Sequence, residues 1–232
     1  IMCAENMCHS TMIMDNKYLL EEHELNTFDI EMIDENKNTI GTQRVSFYKG
    51  KQGIIPKILE ILKKERKRYK KEMVKFEKMA FEAVDSNLRL IYKFNEQVCN
   101  AQQLAVKVTA NSCYGFLGVQ KGGKQPQVLI AAAVTFCGRN MISRTKDKCL
   151  LLMPNSEVIY GDTDSVFWDI FGSDWSGLNI TADQANVEAF KLGEKYAKEI
   201  SGIFKKPHEL EFEKVYNPLI LMEKKRYAGL LF

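Results

Sequence analysis

The sequence contains, at residues 156–171, the segment SEVIYGDTDSVFWDIF, in which two apolar runs flank the polar turn GDTD. Both runs are rich in β-branched and aromatic residues, and this pattern around a short turn predicts a β-hairpin. Asp162 and Asp164 stand at i and i+2, so both carboxylates would project to one side of an extended hairpin arm. A hard divalent cation could bridge them there. Aspartates in turns commonly cap backbone amides instead, and the spacing alone leaves both interpretations open.

The chain before this hairpin predicts a small α+β region and then a helical one. Residues 1–52 indicate a short helix and two strands, FDIEMI and RVSFY, on either side of the turn-rich stretch DENKNTIGTQ. From Gly53 onward, proline near a helix start and apolar residues at helical spacing predict one long helix. A second helix is expected over about 88–114, ending in NSCYGFLG because glycine and Asn-Ser are stop signals. The two helices should form an antiparallel hairpin.

The segments that flank the GDTD hairpin on its other sides extend this mixture of helix and strand. The apolar helix VLIAAAVTFCGRNMISRTKDKCL precedes it and is expected to pack beneath a sheet. After it we expect the helix ADQANVEAFKLGEKYAKEISGIF and the strands LEFEKVY and PLILMEKKRY. The fold class predicted from the whole pattern is α+β.

Composition excludes several classes of protein. With 232 residues and 45% hydrophobic content, the chain can form one sizeable domain or two small ones, and it is not disordered. The longest apolar run, at 128–138, is far shorter than the roughly 20 residues that span a bilayer, so no membrane segment is expected. The opening segment IMCAENMCHSTMIM is not a signal peptide, and we expect a start inside a longer protein. Six cysteines without C-x-x-C spacing indicate a reducing compartment and no structural metal.

Positive charge is concentrated in residues 53–119, which hold thirteen Lys or Arg against seven Asp or Glu, although the whole chain carries only +3. Seven of the nine residues in KKERKRYKK, at 63–71, are basic. On a helix, Arg66 and Lys70 share a face one turn apart, where two cations could bind phosphates. A solvated helix face is the alternative interpretation.

The segment KVTANSCYG places Lys107, Asn111 and Tyr114 at i, i+4 and i+7, ahead of Gly115. One helix face would then present a cation, an amide and an aromatic ring. Such a face could bind a nucleotide, with the lysine on a triphosphate, the tyrosine near a base and the glycine allowing close approach of a base. An amphipathic helix with a polar seam would explain any one of these residues, but less well all four together.

Two further groups lie near the end of the chain. The segment KKRY contains Lys224, Lys225, Arg226 and Tyr227 at the end of an apolar strand, which suits the phosphates or the minor groove of a duplex. A basic strand end that is only solvated is the alternative interpretation. Glu211 and Glu213 in LEFEKVY form a same-face acidic pair if that segment is a strand. A solvent-facing pair is the usual role of that pattern, with a second metal position as the alternative.

Three of these segments, in this order and spacing, resemble motifs of family B DNA polymerases. KVTANSCYG looks like the fingers motif, YGDTDSV like the metal-binding motif of the palm, and EKKRYAG like the motif that binds the primer duplex. The similarity extends to GIIPKILEILKKERKRYKK and to LEFEKVYNPLILMEKKRYAGLLF, which look most like delta-type enzymes of eukaryotes and large DNA viruses. It implies a right-hand fold with an α+β palm at 1–52 and 120–232 and helical fingers at 53–119.

The resemblance also implies a mechanism and a set of roles. Two magnesium ions, for which manganese can substitute, would be held by Asp162 and Asp164, with Glu211 and Glu213 at less settled acidic positions nearby. Lys107 would bind the dNTP triphosphate and protonate the leaving pyrophosphate. Arg66 and Lys70 are the other expected triphosphate ligands, and Asn111 would help to position the triphosphate. Tyr114 and Gly115 would shape the pocket for the nascent base pair. The expected ligands of the primer duplex are Lys224, Lys225, Arg226 and Tyr227.

Two departures from the family pattern accompany this resemblance. The family motif of the form DFxSLYPS should immediately precede Ile1, so its metal-binding aspartate is expected outside this chain, and the piece alone should not polymerise. The stretch between Lys71 and Lys107 is longer than expected for cellular delta enzymes and favours a viral source. The expected partners are primer-template DNA, dNTPs and a sliding clamp bound through other regions. The expected location is intracellular, in the nucleus or in a cytoplasmic viral replication compartment.

Two other functions fit part of the pattern. A nucleotide-sugar transferase also uses a D-x-D pair for manganese, but it does not explain KVTANSCYG or KKRY. A nucleic-acid-binding relative that has lost catalysis would keep the fold, and the intact DTD segment and Lys107 argue against it.

Overall fold

The computed structural model describes residues 1–13, 20–33, 39–119, 127–172 and 181–232. These residues form two compact units, Ile1–Val134 and Thr135–Phe232. Within the described residues, no helix is both long enough and apolar enough to cross a bilayer.

The first unit begins with a small sheet. The elements here are helix α1 (Met2–Glu5), strand β1 (Met12–Ile13), a 3₁₀ helix (Glu22–Glu24), and strands β2 (Leu25–Ile33) and β3 (Thr39–Tyr48). The three strands pair antiparallel in the order β1-β3-β2. The predicted short helix and hairpin are confirmed. Strand β3 starts earlier than expected, because the second half of the turn-rich stretch pairs with β2. Residues 34–38 of that stretch lie outside the described residues.

The long helix α2 (Ile54–Glu82) starts where the sequence predicted it, with Gly53 as its N-cap. The side chain of Asn6 fastens this start: its Nδ2 donates to the carbonyls of Tyr48 and Lys51, at 2.7 and 2.8 Å, and its Oδ1 accepts from Gly53 N at 2.8 Å. Pro56 lies in the first turn, where a missing N–H costs no helical hydrogen bond. The chain therefore enters the helix in a fixed direction.

Helix α3 (Ser86–Gly118) returns along α2 after a short turn. Asp85 caps it, because its Oδ1 accepts from Asn87 N at 2.7 Å and from Leu88 N at 3.3 Å. Beside the turn, Arg89 donates to the carbonyl of Ala83 at 2.9 Å. Farther from the turn, Arg66 of α2 donates to Gln103 of α3 at 3.3 Å, so the two helices run side by side in opposite directions. The antiparallel helical hairpin is confirmed.

Helix α3 ends at Gly118, inside the predicted terminal segment NSCYGFLG but four residues beyond the expected end near residue 114. The hydroxyls of Thr109 and Ser112 donate to the carbonyls four residues earlier, at 3.0 and 2.9 Å, so these side chains stay within the helix. Leu117 is 3% exposed. Burial of this residue outweighs the weak stop signal of the Asn-Ser pair and of Gly115, and the helix ends at Gly118.

The second unit combines helices and hairpins. Helix α4 (Val128–Leu152) begins in the first unit and continues into the second from Thr135 onward. It is followed by strands β4 (Glu157–Asp162) and β5 (Ser165–Asp169), helix α5 (Ala182–Ser201), and strands β6 (Tyr216–Glu223) and β7 (Arg226–Leu231). The pairs β4-β5 and β6-β7 are antiparallel. The predicted GDTD hairpin, the helix before it and the helix after it are confirmed.

The core of this unit lies where α4 and α5 pack against the β4-β5 hairpin. Cys149, Tyr196 and Ile200 form a buried cluster, and Val158 and Trp168 of the hairpin pack on it. The expected packing of α4 beneath the hairpin is thereby confirmed. Burial raises the pKa of the Cys149 thiol to about 11, so this residue stays protonated and behaves as an apolar core group.

The predicted strand LEFEKVY, at 210–216, is wrong over 210–215, which form no strand, whereas its last residue, Tyr216, begins β6. This segment is held by α5 instead. Leu210 exchanges two hydrogen bonds with the Ser201 hydroxyl, at 2.8 and 3.1 Å, and the Phe212 ring meets Phe190 edge-on at 4.9 Å. The alternating apolar residues therefore pack on a helix rather than on a sheet.

Candidate functional site

The DTD segment forms the tip of the β4-β5 hairpin. Asp162 is the last residue of β4 and pairs with Ser165, so Thr163 and Asp164 make the turn. The N–H of Asp164 donates to the Asp162 carbonyl at 2.6 Å, and the Ser165 hydroxyl donates to the same carbonyl at 3.2 Å. The spacing predicted that both aspartates would project from one extended arm. In the structure, Asp162 precedes the tight bend and Asp164 lies in it, so they do not share an arm.

Thr163 has a backbone φ of +54°, in the left-handed region. A β-branched residue is rare there, and such a conformation costs on the order of 1–3 kcal/mol. Strained residues of this kind cluster at functional sites, where the surrounding structure holds them. The bend that presents Asp162 and Asp164 is therefore one that the sequence maintains against a local preference.

The carboxylates of this turn keep oxygen atoms available for a cation. Asp162 Oδ1 accepts from the Thr163 hydroxyl at 3.0 Å and lies 3.3 Å from Lys225 Nζ. Within the described part of the chain, Asp162 Oδ2 and both oxygens of Asp164 make no hydrogen bond or ion pair. Magnesium is typically bound through one or two carboxylates together with water and substrate phosphates. The donor set fits that ion.

The second hairpin reaches this turn. Lys224 and Lys225 form the β6-β7 turn, so KKRY spans a turn and does not end a strand as predicted. Lys225 has a φ of +67°, and its N–H donates to the Tyr160 hydroxyl at 2.9 Å. Together with the Lys225–Asp162 ion pair, this bond joins two motifs that are more than 60 residues apart in the sequence.

The remaining KKRY residues have different surroundings. Arg226 pairs with Glu223 at 2.8 Å across the turn, whereas the Lys224 ammonium has no carboxylate partner in the described ranges. The Tyr227 ring lies 5.0 Å from that of Phe167 and 6.4 Å from that of Tyr160, as part of an aromatic cluster between the two hairpins. The cluster fixes how the second hairpin meets the DTD turn.

A cleft of about 830 Å³ opens beside the turn. Its lining includes Asp164, Glu211 and Glu213, so the structure brings the second acidic pair to the same cleft as one DTD carboxylate. Lys214 also lines it, and a hydrogen bond to Tyr216 raises the pKa of this lysine. Among the residues that the structure describes, no three His, Cys, Asp or Glu side chains converge closely enough to form a metal site.

The candidate triphosphate residues lie in the first unit, on the α2-α3 hairpin. Arg66 Nε donates to Gln103 Oε1 of α3 at 3.3 Å. Lys107 follows Gln103 by four residues and therefore shares its helix face. Arg66 is thus placed opposite the α3 turn that leads to Lys107, while Lys70 is exposed one turn farther along α2.

Asn111, Tyr114 and Gly115 continue along α3 toward its end. Asn111 and Gly115 are exposed, and Tyr114 is half-buried. A side chain at Gly115 would meet no atom within 4 Å. The helix therefore offers open space beside the tyrosine, as a surface that receives a base pair requires.

Sequence reasoning missed two residues of these sites. Gln103, which is 7% exposed, carries a polar side chain in the helical interface and bonds Arg66. Its position four residues before Lys107 was the available signal. Tyr160, two residues before Asp162, binds the turn of the second hairpin. No local pattern could reveal that contact, because its partner is distant in the sequence.

Comparisons with known proteins point to one family. The profile described as DNA polymerase family B matches residues 1–232. The DNA polymerase delta catalytic subunit of Plasmodium falciparum is 39% identical over 241 residues, covering 100% of this chain and 19% of that protein. The DNA polymerase of Paramecium bursaria Chlorella virus NY2A is 37% identical over 235 residues, covering 100% of this chain and 23% of that protein.

A solved structure shows the same similarity. The family B DNA polymerase from Pyrobaculum calidifontis superposes with a TM-score of 0.54 at 27% identity, over 99% of this chain and 24% of that one. The chain spans about a fifth to a quarter of the length of these relatives. Because the family profile matches the chain from end to end, the chain belongs to DNA polymerase family B.

Proposed function

We propose that the complete protein carrying this chain performs template-directed DNA synthesis, adding nucleotides from dNTPs to a primer 3′-hydroxyl. The observation that carries this proposal is the DTD turn, where three carboxylate oxygens have no partner among the residues that the structure describes, in a chain of this family. In the reaction the 3′-oxygen forms a bond to the α-phosphorus, the bond to the β-phosphate oxygen breaks, and pyrophosphate leaves.

Asp162 and Asp164 would hold the two magnesium ions, which manganese can replace, with Glu211 and Glu213 as further candidates because they line the same cleft. When bound, the metal would activate the 3′-hydroxyl and neutralise charge on the leaving pyrophosphate. The chain's own contribution is the tight Thr163 bend, which keeps both carboxylates at the tip of the hairpin.

The α2-α3 hairpin would supply the triphosphate ligands. Arg66, Lys70 and Lys107 contribute cations, and Lys107 would transfer a proton from Nζ to the leaving pyrophosphate oxygen. Asn111 would position the triphosphate by hydrogen bonding. Basic side chains on one helical hairpin suit a ligand that carries several negative charges in a row.

Tyr114 and Gly115 would shape the pocket for the nascent base pair, and Gly115→Ala separates this role from folding. Alanine should stabilise the helix by about 0.5–1 kcal/mol relative to glycine, because the backbone is less free in the unfolded chain and the space is open. In the pocket the same methyl group should lower kcat/KM for dNTP by roughly tenfold or more, since a misplaced substrate is costly.

The control for this variant is Gly118→Ala, whose methyl would lie 4.0 Å from the Ala131 Cβ, an ordinary contact. Thermal unfolding and steady-state incorporation should be measured for both. Equal kcat/KM for Gly115→Ala and the wild type would show that Gly115 does not line the pocket.

Lys224, Lys225, Arg226 and Tyr227 would bind the primer duplex, and the two lysines should contribute unequally. Lys224→Ala should reduce the magnitude of the negative slope of log affinity against log salt by about one, as expected for one lost phosphate contact. Lys225→Ala should lower it by less, because Asp162 already neutralises part of that charge at 3.3 Å. Binding of one primer-template should be titrated at several salt concentrations. An unchanged slope for Lys224→Ala, or equal slopes for the two variants, would contradict the assignment.

The domain assignment follows the same proposal: palm at 1–52 and 120–232, fingers at 53–119. Primer-template DNA and dNTPs would be the partners, with a sliding clamp bound through other parts of the protein. The reaction would take place where DNA is replicated inside the cell, in the nucleus or in a viral replication compartment.

The test is primer extension by the complete protein on a defined primer-template, with magnesium and four dNTPs. We expect products whose sequence complements the template, and no products when the magnesium is chelated. A protein that binds the primer-template but extends no primer would indicate a catalytically inactive relative. Transfer of sugar from a nucleotide-sugar in place of extension would indicate a D-x-D transferase.

A further inference from the structure

We infer that Gln103 is a positioning residue for Arg66, and that its neutral amide orients the guanidinium while leaving its charge available for a triphosphate. This inference rests on the proposed function. It starts from the surroundings of Gln103, a polar side chain only 7% exposed in the interface between α2 and α3. A buried amide is costly unless its donors and acceptors are used.

The Gln103 amide is used on both sides. Its Nε2 donates to Asn100 Oδ1 at 2.9 Å, and its Oε1 accepts from Arg66 Nε at 3.3 Å. Arginine has only donors, so the oxygen of the amide must face it. The bond to Asn100, three residues earlier in the same helix, holds the amide in this orientation.

The bond to Gln103 leaves Arg66 chemically able to bind a phosphate. Guanidinium has five N–H donors, and Gln103 takes the one on Nε, so the two terminal nitrogens keep the other four. Those nitrogens form the fork that binds phosphate oxygens in a bidentate way. Fixing Nε therefore sets the direction in which the fork points.

A neutral side-chain partner distinguishes Arg66 from the three arginines that pair with a carboxylate, whereas Arg89 and Arg144 donate to backbone carbonyls. Arg44 pairs with Asp29 at 2.7 Å, Arg68 with Glu65 at 2.7 Å, and Arg226 with Glu223 at 2.8 Å. Arg66 has no carboxylate partner in the portion of the chain that the structure covers. A carboxylate would compete with the triphosphate for the same cation, whereas an amide does not.

The test is steady-state incorporation by the complete protein with Gln103→Leu and Gln103→Glu. Gln103→Leu should raise KM for dNTP by about tenfold, as expected for a lost hydrogen bond to a charged group, with kcat and primer-template affinity changing less than about twofold. Gln103→Glu should also raise KM, because its carboxylate would neutralise Arg66. Gln102→Leu, at an exposed position on the same helix, is the matched control and should behave as the wild type.

A double-mutant cycle with Arg66→Ala separates positioning from mere packing. If Gln103 acts through Arg66, Gln103→Leu should leave KM unchanged once Arg66 is alanine. Additive effects, or an unaltered KM for both Gln103 variants in a protein whose KM rises with Arg66→Ala, would overturn the inference and leave the proposed function standing. Failure of the wild type to extend a primer would overturn the proposed function, and the inference with it.

Discussion

Asp164→Asn should abolish primer extension while leaving primer-template affinity within about twofold of the wild type. The substitution removes the charge of a carboxylate whose oxygens bond no other described residue, and charge stabilisation by metal ions contributes several kcal/mol to such reactions. A loss of about 4 kcal/mol corresponds to a roughly 10³-fold decrease in kcat. Because Asp164 is exposed, the free energy of unfolding should change by less than about 0.5 kcal/mol.

Single-turnover extension and equilibrium DNA binding are the measurements for this variant. Asp147→Asn, at an exposed position of α4, makes the same chemical change away from the turn and should retain wild-type rates. Extension by Asp164→Asn at more than about a tenth of the wild-type rate would show that this carboxylate is not a metal ligand, since that loss is worth only about 1.4 kcal/mol.

Lys107→Ala should lower kcat by about 10²-fold or more and should also raise KM for dNTP. The first effect follows from loss of a general acid, which typically contributes 10²–10⁴-fold, and the second from loss of a cation near the triphosphate. Lys107→Arg tests the two roles apart. Guanidinium keeps the charge but does not release its proton, so KM should recover while kcat stays low.

Pre-steady-state incorporation over a range of dNTP concentrations gives both constants. Lys93→Ala removes an exposed lysine from the same helix and is the control. Recovery of kcat by Lys107→Arg would show that the residue acts through its charge alone. Unchanged kcat and KM in Lys107→Ala would show that Lys107 takes no part in binding or protonating the triphosphate.

The helices and the first two hairpins could be predicted from the sequence because their signals are local. Apolar periodicity, the start at Gly53 and the GDTD turn all act within a few residues. The errors arose where tertiary contacts outweigh local preference. Helix α3 continues through Gly115 because Leu117 is buried, and residues 210–215 of LEFEKVY form no strand because Ser201 and Phe190 of α5 hold them.

The candidate site was predictable only in part, for the same reason. The motif residues stand out by their type and spacing, but the contacts that orient them do not. Lys225 was expected on the duplex, and its 3.3 Å ion pair with Asp162 depends on a two-residue turn with no glycine to signal it. Gln103 likewise gains its importance only when α2 and α3 pack together.

Because the α2-α3 hairpin is long, a rotation about its base would move its far end much more than its middle. Arg66 lies thirteen residues beyond Gly53, about 20 Å along the axis, whereas Val84 at the far end lies about 46 Å away at 1.5 Å per residue. A rigid rotation about Gly53 would therefore displace the far end roughly twice as far as the arginine. Val84 is 98% exposed, so a dye attached there would perturb no packing. A small rotation of the hairpin on triphosphate binding would therefore give a larger displacement of a dye at Val84, which fluorescence could detect far from the ligand.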